Sequence, residues 1–223
     1  MDKILITGAT GFVGQWLTKT KPDNTVIYGV GRAKYEKMAW RSERWTSIIH
    51  LAPTPPTDIL ECAVWCGARV LYASSGIVYH PENTARVKYR EDKLSGEREC
   101  VESPADVVIA RLFTFYGKGL DSNKAVTTFY NAGQQGIPLV ITGDGNTTRT
   151  YMRGREMARW MWAILKHGER GEAYDVGSDF PITMLELARV YAQGAEIIIQ
   201  GGKDPMPYYV PEDTAKTIKL LTK

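Results

Sequence analysis

The chain has 223 residues, of which 43% are hydrophobic and 24% charged, and a net charge of +3. A chain of this size buries roughly 70–75% of its unfolded surface, so it needs no disulfide or metal staple. No apolar run approaches the roughly 18 residues of a membrane span, and no small-residue cleavage site follows Met1-Asp2-Lys3. The 28 basic and 25 acidic residues are interspersed, without a basic arm. These features predict a cytoplasmic domain that engages neither membrane nor nucleic acid. The 3 cysteines match no zinc spacing, and no metal is expected. Cys62 and Cys66, four apart in a helical run, read as buried thiols in a reducing compartment.

In chain order, Lys3 to Thr7 is an apolar strand, Gly11 to about Thr20 a helix, and Thr25 to Val30 a second strand. Residues 32–46 show no clear period. Ser47 to Ala52 is a strand, and the proline-rich run 53–56 must be a loop. Asp58 to Cys66 reads as a helix capped by Thr57 or Asp58. Val70 to Ser74 is a strand, Val87 to about Val101 a helix, and Val107 to Phe113 a strand. Such alternation predicts an α/β fold, a Rossmann-like doubly wound parallel sheet covered on both faces, over residues 1–117. Beyond Gly117 the pattern changes. A helix is expected from Val126 to Gly133, a strand from Leu139 to Ile141 before a Gly143–Asn146 turn, and helices over Glu156–Lys166 and Ile182–Gln193. These make a small C-terminal lobe, residues 118–223, interleaved with the last sheet strands.

Thr7-Gly8-Ala9-Thr10-Gly11-Phe12-Val13-Gly14 lies between the first strand and the first helix. In that context Gly8 permits a tight turn, Gly11 lets backbone approach a pyrophosphate, and Gly14 lets the helix pack closely on the strand. The N–H groups of Phe12 and Val13 would face phosphates with the helix dipole behind them. The second strand ends in Gly31-Arg32, with Lys34 nearby and no carboxylate at its tip. A guanidinium there suits a 2′-phosphate, which favours NADP over NAD as the cofactor.

Tyr89 and Lys93 form the one Tyr-x-x-x-Lys of the chain. On a helix these residues share a face. A phenol ionises near pH 10, and a neighbouring ammonium favours its phenolate. Tyr89 would then move a proton while the cofactor moves a hydride, and Ser75, at the preceding strand end, would hydrogen-bond the same substrate oxygen.

Together these segments resemble the extended short-chain dehydrogenase/reductase superfamily, specifically the NAD-dependent epimerase/dehydratase family. The resemblance rests on TGATGFVG, on His50-Leu51-Ala52, on Leu71 to Tyr79, on Tyr89 with Lys93, on Arg111 to Gly117 and on Gly143-Asp144-Gly145 with Arg149. It implies that Leu51, Ala52 and Phe113 join Gly8, Thr10, Gly11, Phe12, Val13, Gly14, Arg32, Tyr89 and Lys93 at the cofactor. It further implies that Ser75, Thr114 and Arg149 meet the substrate, Arg149 at the diphosphate of a nucleotide-sugar. It also implies a homodimer paired through the helices near Asp58–Cys66 and Lys88–Val101. Gly76 and Ile77 stand where sugar 4,6-dehydratases resemble one another in an Asp-Glu pair, which disfavours water elimination. Thr114 and Thr150 replace the asparagine and aspartate usual in the family. The stretch before Ser47 and the loop from Ser75 to Tyr89 are clipped. The expected activity is therefore an NAD(P)-dependent epimerase or reductase of a nucleotide-sugar, with catalytic Ser75, Tyr89 and Lys93. A reductase of a non-nucleotide carbonyl and a non-catalytic cofactor sensor are the alternatives.

Overall fold

The computed structural model describes residues 1–31, 39–119, 124–204 and 206–223. Its centre is a six-stranded sheet, with strands β1 (Asp2–Thr7), β2 (Thr25–Val30), β3 (Ser47–His50), β4 (Arg69–Ser75), β5 (Asp106–Leu112) and β10 (Ala173–Val176) in the order β10-β5-β4-β3-β1-β2. Every pairing in it is parallel. The strands are near-continuous apolar runs because both faces are covered. On one face, Ile4, Ile6, Ile49, Leu71 and Val108 pack with α1 (Phe12–Lys19) and α5 (Gly154–His167). On the other, Leu5, Ile48, Val70, Tyr72 and Val107 pack with α2 (Thr57–Cys66) and with Cys100 of α3 (Val87–Glu102).

A third apolar cluster lies outside the sheet. It joins α4 (Ala125–Gln135), β7 (Leu139–Ile141), α6 (Met184–Ala192) and β12 (Ile197–Ile199). Short pairings complete the chain. They are β6 (Phe115–Tyr116) with β9 (Met152–Arg153), and a three-stranded sheet of β11 (Pro181–Thr183), β8 (Thr148–Thr150) and β13 (Tyr208–Tyr209). The last helix is α7 (Thr214–Ile218).

Several expectations need correction. The residue at the α2 N-cap is Pro56, and Thr57 is already helical, its hydroxyl donating to Glu99 at 2.9 Å. Gly133 does not end α4. The helix runs to Gln135 and stops at Gly136, whose φ of +66° is the left-handed stop. The helix expected from Ile182 splits: Pro181–Thr183 is a strand, and Thr183 with Glu186 forms a capping box that starts α6. Strand β3 ends at His50 and β5 at Leu112, so Leu51, Ala52 and Phe113 lie just past their strand ends. Cys62 is buried, but Cys66 is only half-buried.

Candidate active site

The chain reverses direction across the sheet between β1 and β3, and ligands of doubly wound sheets sit at such a switch point. Here the turn after β1 meets the chain leaving β3. Gly8 has φ +71°, and a Cβ on it would stand 3.2 Å from Leu51 and Ala52. Thr7 Oγ1 holds the same junction, accepting from the N–H of Leu51 (3.2 Å) and Ala52 (3.3 Å) and bonding His50 Nδ1 (2.8 Å). Gly14 packs on the loop rather than the strand, since a Cβ there would lie 2.5 Å from Ala9 Cα. Gly11 caps α1 with no side-chain bond. A Cβ on Gly11 would meet only the Gly8 oxygen, at 3.4 Å, so the open side of the turn is a cradle that any side chain would fill. The first N–H groups of α1, at Phe12, Val13 and Gly14, have no partner within the helix. A phosphate would fit this set of donors.

Helix α3 closes tightly on β4 because it carries Gly96, where a Cβ would be 2.2 Å from Tyr72 Oη. That approach delivers Lys93, which is only 8% exposed, and its ammonium donates to the Ala73 carbonyl at 2.7 Å. Burial pushes the Lys93 amine down to about 8, against the opposing pull of Glu97. Its Nζ lies 6.0 Å from the centre of the Tyr89 ring. Tyr89 is 41% exposed. A buried network locks the same region. Ser74 donates to Glu97 at 2.5 Å, Arg111 grips both Glu97 oxygens at 3.0 and 2.7 Å, and Arg111 reaches Tyr79 at 2.7 Å. Tyr79 in turn donates to Asp175 at 3.0 Å.

One cleft of about 810 Å³ gathers these groups. Of the sequence-predicted residues it is lined by Gly8, Gly11, Phe12, Val13, Gly14, Leu51, Ser75, Tyr89, Lys93, Phe113, Thr114 and Arg149. Thr10 and Ala52 do not line it. Thr10 is exposed beside Gly31, and Ala52 backs Gly8. Arg32 and Lys34 lie outside the described residues. The Ser75 oxygen accepts from the Ile77 N–H and lies 3.3 Å from the Tyr209 hydroxyl. Arg149 reaches the cleft already engaged, donating to Asp204 at 3.1 Å and to the Thr148 carbonyl at 2.9 Å.

The far wall holds residues that sequence reasoning missed: Asn83, Arg86, Lys124, Asp204, Met206 and Tyr209. Tyr209 packs 5.0 Å from Phe113 and 5.3 Å from His80, and its hydroxyl donates to the Leu112 carbonyl at 3.2 Å. Burial pushes this phenol up to about 12. No local period marked it. It reaches the cleft because β13 pairs with β8, Tyr209 opposite Arg149. At Gly76 a Cβ would fall 2.4 Å from the Phe113 ring, so that ring fills the space a longer side chain would need.

Comparison with known proteins shows the family and the fold. Residues 33–177 match the model of the NAD dependent epimerase/dehydratase family. UDP-glucuronic acid decarboxylase 4 of Arabidopsis thaliana is 24% identical over 284 aligned residues, covering 98% of this chain and 64% of that protein. The chain spans less than two thirds of that protein, and 42% and 35% of two further plant UDP-glucuronic acid decarboxylases that it matches. The fold is similar to that of a UDP-glucuronic acid 4-epimerase from Bacillus cereus, solved with UDP-glucuronic acid and NAD. The TM-score is 0.78 at 20% identity, over 99% of this chain and 93% of that one. It is also similar to RMD from Pseudomonas aeruginosa complexed with NADPH, with TM-score 0.81 at 18% identity over 100% and 93% of the two chains.

Proposed function

Because this chain belongs to the NAD dependent epimerase/dehydratase family, we propose that it is an NAD(P)-dependent epimerase or reductase of a nucleotide-sugar. The observation that carries the reading is the single cleft in which the phosphate loop, Ser75, Tyr89 and Lys93 meet. The dinucleotide would be held by Gly8, Gly11, Phe12, Val13 and Gly14 at its phosphates and by Leu51 and Phe113 farther along. When bound it supplies a hydride acceptor or donor. Tyr89 takes the proton from the sugar hydroxyl as hydride leaves, or gives its proton to the carbonyl oxygen as hydride arrives, its ring facing the Lys93 ammonium. Lys93 stays largely protonated at pH 7, since its amine sits at about 8. Ser75 bonds the reacting oxygen. Thr114 lines the same cleft.

The names of the relatives support the substrate class: UDP-glucuronic acid decarboxylases, dTDP-D-glucose 4,6-dehydratases and a UDP-glucuronic acid 4-epimerase. Dehydration is disfavoured because glycine and a buried isoleucine, Gly76 and Ile77, occupy the positions an acid and a base would need. NADP is favoured over NAD because the sequence just after β2, Gly31-Arg32, has an arginine and no carboxylate. The reading extends to a homodimer through α2 and α3, whose outer faces expose Val64, Trp65 and Val101. Light scattering that gives a monomer at micromolar concentration removes that part.

The test pairs Tyr89→Phe with a thermal-shift titration. Wild type and variant should both gain melting temperature with NADP, more than with NAD. Turnover of UDP- and dTDP-hexoses should fall about 10²–10⁴-fold in the variant. Retained turnover removes Tyr89 from the chemistry. No shift with either dinucleotide removes the cofactor reading.

A further inference from the structure

The cleft wall opposite the phosphate loop carries two arginines in different states. Arg149 is committed. Its guanidinium bonds Asp204 and the Thr148 carbonyl and stacks 5.8 Å from the Tyr209 ring. Asp204 is committed in return, accepting from Thr147 at 3.2 Å and from the Met206 N–H at 2.7 Å. The pair is therefore a self-neutralised clamp that ties the chain before β13 to β8. Arg86 differs. It ends the 3₁₀ turn Thr84–Arg86 and lines the cleft three residues before Tyr89. Among the described residues, no carboxylate or other acceptor takes up its guanidinium. Its positive charge bears on both Arg149 and Tyr209 of the same wall. Lys124, exposed on the same cleft, adds a second cation. Among the described residues neither Arg86 nor Lys124 is ion-paired, so beside the neutralised Arg149–Asp204 pair they leave the wall positive.

We propose that Arg86 is the residue that grips the ligand's oxyanion, phosphoryl or carboxylate, while Arg149 is held by Asp204 as a positioning element for Tyr209. A planar guanidinium gives two parallel bonds to either group. The inference rests on the reading of this cleft as a nucleotide-sugar site and names which residue receives the charge there. It also sorts ligands. An anion near Arg86 lies close to Tyr89 along the chain, so a uronate carboxylate beside the reacting carbon would use it as readily as a diphosphate.

Isothermal titration decides the matter, run with the phosphate loop filled by whichever dinucleotide binds. The probes are inorganic pyrophosphate, UDP, UDP-glucose and UDP-glucuronate. Arg86→Gln should weaken anion binding at least tenfold, and Arg86→Lys should recover part of it, as a charge without the fork. Arg149→Gln should cost less than Arg86→Gln. Equal loss for UDP-glucose and UDP-glucuronate would assign Arg86 to the diphosphate, and loss confined to the uronate would assign it to the carboxylate. Undiminished binding in Arg86→Gln overturns the inference and leaves the nucleotide-sugar reading standing. Wild type that binds pyrophosphate through Arg86 but none of the nucleotides keeps the inference and sinks that reading. Wild type that binds no anion sinks both. If Arg149→Gln does not fold, the two Arg86 variants decide alone.

Discussion

The phosphate-loop side of the cleft is made by one contiguous stretch, residues 7–14, with the chain leaving β3 laid against it. The opposite side draws Asn83 and Arg86 from one loop, Lys124 from the start of α4, Arg149 from β8 and Tyr209 from β13. The first side works through backbone, since glycines shape a turn and helix N–H groups do the binding. The second works through side chains brought together by pairings remote in sequence. A backbone site tolerates change in every residue but its glycines. A side-chain site depends on each pairing that aims it.

Two glycine variants are the strongest test of that contrast. Gly133 lets α4 cross α6, and a Cβ on it would stand 1.8 Å from the Tyr191 carbonyl oxygen. Gly133→Ala should cost about 3 kcal/mol or more, because backbone must move to admit the methyl. Gly14→Ala, with its Cβ 2.5 Å from Ala9 Cα, should cost about 2–3 kcal/mol. Denaturant titration reads both. Their ligand responses should separate: Gly14→Ala loses the melting shift with dinucleotide, whereas Gly133→Ala keeps it. Loss of the shift in both variants would mean that the two sides fold as one unit, and the contrast would fail.

The same contrast explains what the sequence made legible. The loop was readable because strand, glycine spacing and helix are adjacent in the chain. Tyr89 and Lys93 were readable because four residues on a helix are one turn. The start of α6 was missed although Thr183 and Glu186 have capping-box spacing, because the apolar run beginning at Ile182 masked it. Gly133 and Gly136 look alike in sequence. Only packing against Tyr191 distinguishes a contact glycine from a stop glycine. Tyr209 had no local signal, because a two-residue strand has no period and its meaning comes from β8. Nothing in the sequence sets Arg86 apart from the other arginines, and its place on the cleft wall comes from the fold.

A change of pH probes the loop side through His50. His50 is buried between Thr7 Oγ1 and the Thr54 carbonyl, which its Nε2 meets at 3.0 Å. Burial holds its imidazole down to about 4, with Lys93 adding to that shift and Asp58 opposing it. In the unfolded chain the ring takes its proton near 6.5. Between these values the unfolded state binds more protons, so stability is present above 6.5 and is lost as pH falls toward 4. Going from pH 7 to pH 5 should cost about 2 kcal/mol through this residue. His50→Gln should flatten that part of the stability curve. An unchanged slope in the variant would place the acid sensitivity elsewhere and leave the loop side no more pH-sensitive than the far side.

The smallest effect tests a contact between the far wall and Ser75 at the end of β4. Tyr209 belongs to the far wall by its strand, yet its hydroxyl lies 3.3 Å from Ser75 Oγ and donates to the Leu112 carbonyl. With its own proton on that carbonyl, the phenol oxygen is an acceptor for the Ser75 proton. It thereby fixes which way the serine hydroxyl points. The phenol stays neutral well past pH 9, since its ionisation lies at about 12. Tyr209→Phe removes one hydrogen-bonded hydroxyl, worth about 1 kcal/mol and roughly 2–4 °C of melting temperature at this size. The ring contacts with Phe113 and His80 remain. If the hydroxyl orients Ser75, turnover should fall severalfold at unchanged substrate KM, by the same factor from pH 6 to pH 9. A loss in KM alone would make Tyr209 a wall of the substrate pocket. Ser75 would then take its direction from the turn after β4, whose Ile77 N–H donates to its oxygen.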